Sequence, residues 1–403
     1  MKGKAVRAFA ALFMTGFLIG CGSKSNAPDD YATNQGYETK ERVSEKKTGV
    51  SAQTGSQNEK SGMDKADLKV GVLYLSDPAE GSGYSYTHDL GIQGMVDNLG
   101  LSREQVVRKV VDDSDKEASR KAIQECIDDG CKIIFTTSWG YMEVTAEMAE
   151  EYPDIYFSHG TGYMSNGSNF NNYFGRIYQA RYLSGIVAGM NTKSNKIGYV
   201  AAQDSSNSEV TGGVDAFAIG VESVNPDARI YVKVTNSWYD PAAEEAASRE
   251  LLDMGCDVMT QHCDTPFPQT LAQEYGVYGI GYNSDMSKET PDSCLCSVIW
   301  NWSAYYTAAV QSVLDGSWDG SNYYGGMEEG LVQVTRLASF CAEGTQEKLD
   351  AASADILSGK NNVFDGVLMT NAGEQVGTEG TTLDDATITG NINWYYRNVE
   401  VLE

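Results

Sequence analysis

The chain has 403 residues, of which 41% are hydrophobic and 21% are charged. This length is sufficient for two domains and a large buried core. Because acidic residues give a net charge of −26, a nucleic-acid partner and a basic membrane-binding face are both excluded.

Residues 1–20 predict a secretory signal peptide with a lipid attachment site. Three basic side chains precede a short apolar core, residues 8–19, which is too short to span a membrane. The core ends in Leu18-Ile19-Gly20-Cys21, which looks like a bacterial lipobox, with Cys21 as the lipidated residue. Residues 21–67 carry almost no large apolar side chain and are expected to form a disordered tether. We therefore expect a protein anchored by lipid to the extracytoplasmic face of the cell membrane.

From residue 68 onward, short apolar runs alternate with amphipathic segments. The predicted strands are 69–76, 106–111, 132–137, 155–159, 196–201, 229–234, 257–261, 277–282 and 297–300. The predicted helices are 89–98, 116–128, 142–151, 179–190, 242–254 and 304–314. This alternation predicts an α/β fold with mainly parallel sheets, each flanked by helices on both faces.

Nine strands are more than one doubly wound sheet holds comfortably, and the pattern restarts near residue 178. Two lobes separated by a cleft fit this pattern better. We expect lobe 1 to comprise residues 68–176 and 292–320, and lobe 2 to comprise residues 177–291 and 321–403.

Aromatic residues stand beside polar ones after several predicted strands. These positions include Tyr84, Tyr86, His88, Ser138, Trp139, Trp238, His262, Asn283 and Asp285. In an open parallel sheet, the carboxyl ends of the strands border the ligand crevice. Aromatic rings with converging donors and acceptors predict a binding site for a flat heteroaromatic small molecule.

A metal site and a catalytic site are the alternatives for these residues. His88, His159 and His262, with Cys263 and Asp264, contain zinc-ligand types, but no two histidines share the close spacing of a metal site. Cys263 next to His262 is a poor nucleophile–base pair, because adjacent strand residues point apart. We expect no metal, no cofactor and no catalysis, and we expect most of the seven cysteines after Cys21 to be core residues.

Several segments together resemble the basic membrane protein family. They are residues 69–74, 83–91, 135–142, 159–163, 194–200, 224–227, 236–241, 261–264 and 284–286. The resemblance implies the two-lobed type I periplasmic-binding-protein fold. It also implies a monomeric, lipid-anchored substrate-binding protein of an ABC importer, with a purine ligand and a membrane permease as partners.

The resemblance also implies roles for individual residues. The two aromatic positions that face each other across the base fall on Tyr84 and Trp238, the base-edge position falls on His88, and the late carboxylate falls on Asp285. Nucleoside receptors of the family carry a ribose-holding lysine at about the position of Trp300. This departure favours an adenine-like bare base as the ligand. The alternatives are a purine nucleoside receptor, a signalling sensor lipoprotein and, least favoured, a nucleoside hydrolase, for which an early aspartate-rich cluster is lacking.

Overall fold

The computed structural model describes residues 62–403, in which strands and helices alternate along most of the chain. The strands are β1 (Val70–Tyr74), β2 (Val106–Val110), β3 (Ile133–Thr136), β4 (Tyr156–Gly160), β5 (Phe170–Gly175), β6 (Lys196–Ala201), β7 (Arg229–Val234), β8 (Val258–His262), β9 (Tyr278–Asn283), β10 (Cys294–Trp300), β11 (Tyr323–Gly325), β12 (Val332–Val334), β13 (Asp365–Met369), β14 (Gln375–Thr382) and β15 (Val399–Val401). The helices are α1 (Gly83–Leu99), α2 (Lys116–Asp128), α3 (Met142–Glu151), α4 (Ile177–Asn191), α5 (Ser208–Val224), α6 (Pro241–Asp253), α7 (Phe267–Glu274), α8 (Trp302–Asp315), α9 (Thr345–Leu357) and α10 (Asp385–Gly390).

The strands of this part of the chain form two large sheets and one small hairpin. The first sheet has the order β11-β5-β4-β3-β1-β2, and the second has the order β12-β10-β9-β8-β6-β7-β15. Every neighbouring pair in the two large sheets is parallel except β10 with β12. Strands β13 and β14 form the hairpin. The predicted α/β fold with mainly parallel sheets flanked by helices is confirmed.

The central strands are buried along their whole length, which explains their nearly continuous apolar sequences. All residues of β1, β3 and β8 are buried. A parallel sheet covered by helices on both faces requires this, because neither face of the strand meets water.

Helices α4 and α5 pack closely over the second sheet. A side-chain carbon added at Gly185 would lie 2.1 Å from the carbonyl oxygen of Phe217, and one added at Gly220 would lie 2.0 Å from that of Tyr182. Only glycine permits this approach of the two backbones. The contact fixes α4 and α5, which carry two polar groups of the site described below.

The division between the lobes differs from the predicted one at two places. We define the first lobe by the first sheet and the second lobe by the second sheet. Strand β10 pairs with β9 and so lies in the second sheet, although residues 292–320 were assigned to lobe 1. Strand β11 pairs with β5 in the first sheet, although residue 321 onward was assigned to lobe 2. The chain therefore crosses between lobes near Arg176, near Asn301 and between β11 and β12, because strand pairing decides which lobe a segment joins.

The predicted signal peptide, residues 1–20, and the predicted lipidation site, Cys21, lie outside the described residues. The predicted tether ends earlier than residue 67. Lys65–Asp67 form a short 3-10 helix, and the Met63 amide donates to the Leu314 carbonyl at the end of α8 (2.7 Å). Within residues 62–403, the helices are all too short or too polar to cross a membrane.

Candidate functional site

The first lobe brings aromatic rings to the lobe boundary through the start of α1. This helix begins at Gly83, earlier than the predicted start at residue 89, so Tyr84, Tyr86 and His88 lie in its first two turns. Tyr84 and His88 are four residues apart, which places them on one helix face. Their rings meet edge to face with centroids 4.3 Å apart. Tyr86 falls on a different face and is half-buried.

A stack of three rings crosses the lobe boundary. His88 lies flat on Trp302, with centroids 4.4 Å apart and an interplanar angle of 15°. Trp302 lies flat on Trp300, at 4.5 Å and 11°. Trp300 ends β10 of the second sheet, whereas Trp302 begins α8, which packs against α1 of the first lobe. The stack therefore joins the two lobes directly.

The second lobe continues this row of rings. The Trp300 indole N–H donates to the Tyr282 hydroxyl (3.3 Å), and Tyr282 meets His262 edge to face at 4.7 Å. His262 in turn meets the half-buried Trp238, with centroids 5.7 Å apart. Ring contacts and one hydrogen bond thus link Tyr84 on the first lobe to Trp238 on the second.

Polar groups of the second lobe lie beside these rings. A Glu209 carboxyl oxygen is 3.8 Å from His262 Nε2, and Asp264 accepts a hydrogen bond from Asn283 Nδ2 (2.7 Å). The Thr87 hydroxyl on α1 reaches across to the carbonyl oxygens of Asn283 (3.1 Å) and Trp300 (3.3 Å). The two lobes are therefore in contact at the site.

A buried arginine lies behind the site. Arg181 on α4 is fully buried and donates through Nη1 to the Gln261 carbonyl (2.7 Å). Its guanidinium carbon lies 4.1 Å from the centroid of the Tyr282 ring, within the range of a cation–π contact. This fixed positive charge acts on the acidic and aromatic groups in front of it.

Burial changes the protonation of the site. It raises the pKa of Glu209 to about 7, an effect that Asp264 increases and Arg181 opposes. Burial also raises the pKa of Asp264 to about 7, against the hydrogen bond from Asn283. It holds the pKa values of His88 and His262 well below their ordinary range, with Arg181 adding to the effect on His262. Near pH 7 the site thus offers neutral imidazoles and carboxyl groups that are partly protonated.

Several buried polar atoms at this site have no hydrogen-bond partner within the described part of the chain. They are Tyr84 Oη, His88 Nε2, Arg181 Nε and Nη2, His262 Nε2, Asn283 Oδ1 and Trp302 Nε1. A buried donor or acceptor left unpaired costs about 1–3 kcal/mol. A bound ligand with hydrogen-bonding groups could pair with those atoms that lie beside the row of rings.

Other residues predicted from the sequence have different surroundings. Ser138 donates to Asp113 (2.6 Å), and Trp139 is 56% exposed with its ring 5.7 Å from that of Tyr163. Asp285 accepts from the Ser287 amide (2.9 Å), so its carboxylate caps a local turn. None of these contacts joins them to the row of rings.

Several residues of the site were not predicted as ligand contacts. They are Glu209, Asp264, Arg181, Tyr282 and Trp302. Asp264 was considered only as a metal ligand. Arg181 carried a usable signal, because a single charge stands within the apolar run of α4. Asp264 follows a predicted strand, but its burial depends on the opposite lobe. A Cβ added at Gly83 of α1 would lie 3.1 Å from the Asp264 carbonyl oxygen.

His159 contacts a core residue of the first sheet. It is fully buried, and its Nδ1 lies 3.1 Å from the Thr136 hydroxyl. Among residues 62–403, no group of three or more histidine, cysteine or acidic side chains is placed to hold a metal ion.

Comparisons with known proteins connect the chain to a family of transport proteins. The sequence model of the family described as ABC transporter substrate-binding protein PnrA-like matches residues 68–363. The chain is 36% identical over 334 residues to a purine-binding protein of Brucella abortus, covering 83% of this chain and 93% of that protein. It is 33% identical over 294 residues to a Haloferax volcanii protein provisionally named an ABC transporter glucose-binding protein, with 73% of each covered.

The fold is also found in solved structures. An ABC transporter solute-binding protein from Aeropyrum pernix superimposes with a TM-score of 0.61 at 15% identity, covering 73% of this chain and 92% of that one. At this identity the likeness concerns the fold alone.

Proposed function

Since the chain belongs to the ABC transporter substrate-binding protein PnrA-like family, we propose that it captures a purine base between its two lobes and delivers it to an ABC permease. The observation that carries the ligand class is the row of rings from Tyr84 to Trp238 with unpaired polar atoms along it. The likeness to a purine-binding protein over 83% of the chain supports the same class.

A purine matches both kinds of group at the site. Stacking of a base on an aromatic side chain contributes on the order of 1–3 kcal/mol. The edge of adenine presents an amino donor beside ring-nitrogen acceptors. Because the pKa values of Glu209 and Asp264 are both about 7, one carboxyl can accept from the amine while a protonated one donates to a ring nitrogen.

Trp300 supports a bare base over a nucleoside. Its side chain is 4% exposed and is held against Trp302 and Phe174, whose ring centroid lies 5.1 Å away. An indole in this position offers no ammonium group to the hydroxyls of a ribose. The preferred ligand is therefore adenine or a related nucleobase.

The remaining steps are those of a transport receptor without chemistry. Acyl chains on Cys21 hold the protein at the outer face of the cell membrane, and ligand favours the lobe arrangement for which it has the higher affinity. The permease then binds the closed form.

Titration calorimetry with purified residues 62–403 tests the ligand class. The panel contains adenine, guanine, hypoxanthine, adenosine, inosine and glucose. We expect adenine to bind most tightly and each nucleoside to bind more weakly than its base. Binding of nucleosides alone would refute the base preference, and binding of glucose alone would refute the purine class.

Two further measurements test the rest of the proposal. Chromatography of adenosine and inosine after incubation with the protein should show no free base, since turnover would make the protein a hydrolase. Cys21→Ser should move the full-length protein from the membrane fraction to the soluble fraction. Retention in the membrane fraction would contradict anchoring at Cys21.

A further inference from the structure

The end of the chain forms a strap, residues 384–401, that lies beyond the match to the family model. Its far end is fastened to the second lobe, where β15 pairs with β7. The Tyr396 amide donates to the buried Asp215 (2.7 Å), and Arg397 forms two 2.7 Å bonds with the two carboxyl oxygens of Glu222. Ile388 of the strap is buried and packs near Gly212 of α5.

The near end of the strap is fastened to a lobe crossover. Arg176 stands between β5 of the first sheet and α4 of the second lobe. Its Nε lies 3.1 and 3.0 Å from the two carboxyl oxygens of Asp385, and its Nη2 lies 2.7 Å from one of them. The Tyr178 hydroxyl also donates to Asp385 (3.1 Å). Asp385 therefore accepts hydrogen bonds from both Arg176 and Tyr178, which lie at the crossover.

Arg176 holds the first lobe with its other groups. Nη1 donates to the Tyr324 carbonyl (2.7 Å), and the backbone amide donates to the Gly325 carbonyl (2.7 Å). The guanidinium carbon lies 5.2 Å from the Tyr324 ring centroid. Since Tyr324 and Gly325 belong to β11, one arginine connects the strap with the edge of the first sheet.

A small crevice lies between the strap and this edge. Its lining includes Phe174, Tyr178, Glu209, Tyr324, Ile388 and Thr389. Glu209 also lies 3.8 Å from His262 in the row of rings. The strap thus supplies one wall of a crevice that shares a carboxyl group with the site.

We infer that Asp385 is a positioning residue for ligand binding. By fixing Arg176, Asp385 sets the distance between the strap and the edge of the first sheet, which lie on either side of Glu209. This distance keeps the site in its closed geometry. This role rests on the proposed function. It extends that function to residues 384–401, which lie outside the residues that the family model matches. Loss of the pair lets the crossover relax and shortens the lifetime of the closed complex.

The test compares the two arginine–carboxylate pairs that fasten the same strap. Asp385→Asn weakens the pair at the crossover, whereas the control, Glu222→Gln, weakens the pair at the far end. Calorimetry and stopped-flow fluorescence give the adenine affinity and dissociation rate, and thermal unfolding gives the stability of the empty protein. We expect Asp385→Asn to weaken binding about tenfold through faster dissociation, Glu222→Gln to stay within about twofold of wild type, and Asp385→Glu to restore part of the affinity.

Equal changes in affinity in both variants, or none in Asp385→Asn, would overturn the inference and leave the strap with a purely structural role. Amide hydrogen exchange keeps the test independent of the ligand. If the wild type binds no purine, the exchange of residues 176–178 and 324–331 decides. Faster exchange there in Asp385→Asn than in Glu222→Gln supports the positioning role, and equal exchange overturns it.

Discussion

The two lobes bring different chemistry to the cleft. Both lobes contribute rings to the row: the first lobe gives Tyr84, His88 and Trp302, and the second gives Trp300, Tyr282, His262 and Trp238. The second lobe also contributes hydrogen-bonding groups, including Glu209 and Asp264, with the charge of Arg181 behind them. Rings accept any flat base, whereas fixed donors and acceptors reject one with the wrong edge. Under the proposed function, the rings of both lobes would supply general affinity, and the carboxyl groups of the second lobe would supply selectivity.

Trp238 is the half-buried ring at the second-lobe end of the row. Trp238→Ala should weaken binding of every purine by roughly 10- to 100-fold, since it removes one stacking surface worth about 1–3 kcal/mol. Calorimetry with adenine, guanine and hypoxanthine measures the effect. The control is Trp318→Ala, because Trp318 is also half-buried but donates to Ser168 on the first lobe.

Two results would contradict a stacking role for Trp238. One is a large fall in the melting temperature of the empty Trp238→Ala protein relative to Trp318→Ala, which would make the indole part of the core. The other is a loss confined to one of the three bases.

Asp264 tests the selectivity of the second lobe. Asp264→Asn should weaken adenine about tenfold more than unsubstituted purine, because only adenine has the amino donor that a carboxylate accepts. Competition binding with the two ligands measures the ratio. Asp285→Asn is the matched control, since Asp285 caps a local turn, and it should change both affinities by less than about twofold. The reverse order of the two variants would restore the role that the sequence predicted for Asp285.

Glu209 tests the electrostatic side of the same lobe. Its pKa of about 7 lies above the ordinary 4.5, so between these values the folded protein holds a proton that the unfolded chain releases. The stability of the empty protein therefore falls as pH rises from about 4.5 to about 7, and the loss is complete above pH 7. Glu209→Gln should be more stable than wild type at pH 8, by on the order of 1–3 kcal/mol, and nearly equal to it at pH 4.5.

Urea unfolding of the empty protein at several pH values measures this difference. Glu104→Gln removes an exposed carboxylate and should follow the wild-type profile. Parallel profiles for Glu209→Gln and wild type would show that the Glu209 carboxyl is solvated in solution.

Trp139 should give the smallest effect. Trp139→Ala is expected to change purine affinity by less than about twofold, because this exposed ring packs against Tyr163 and lies outside the row of rings. A loss comparable with that of Trp238→Ala, measured by the same calorimetry, would mean that the ligand extends to the end of β3.

Much of the fold could be predicted from the sequence, because buried parallel strands have nearly continuous apolar sequences. Strand β6 and helix α2 begin and end where the pattern placed them. Helix α5 was not predicted, since polar residues and Gly212-Gly213 obscure its period. The sheet that β10 joins had no local signal, because the choice depends on pairing with β9.

The candidate site could be predicted only in part, because some of its residues depend on contacts between distant parts of the chain. His262 and Asn283 are the last residues of β8 and β9, and Trp238 lies shortly after β7, so their position at the carboxyl edge of the sheet could be predicted. Glu209 could not be distinguished from other acidic residues, because its raised pKa comes from burial by groups distant in the chain. Asp285 and Asp264 both follow strands, and only the tertiary contacts separate a turn cap from a buried carboxyl.

Trp300 and Trp302 stand on opposite sides of a lobe crossover, with only Asn301 between them, and their indoles lie parallel at 4.5 Å. Two chromophores at this separation couple electronically, and any rotation of one lobe against the other changes their overlap. Near-ultraviolet circular dichroism would therefore report any such rotation without an attached dye.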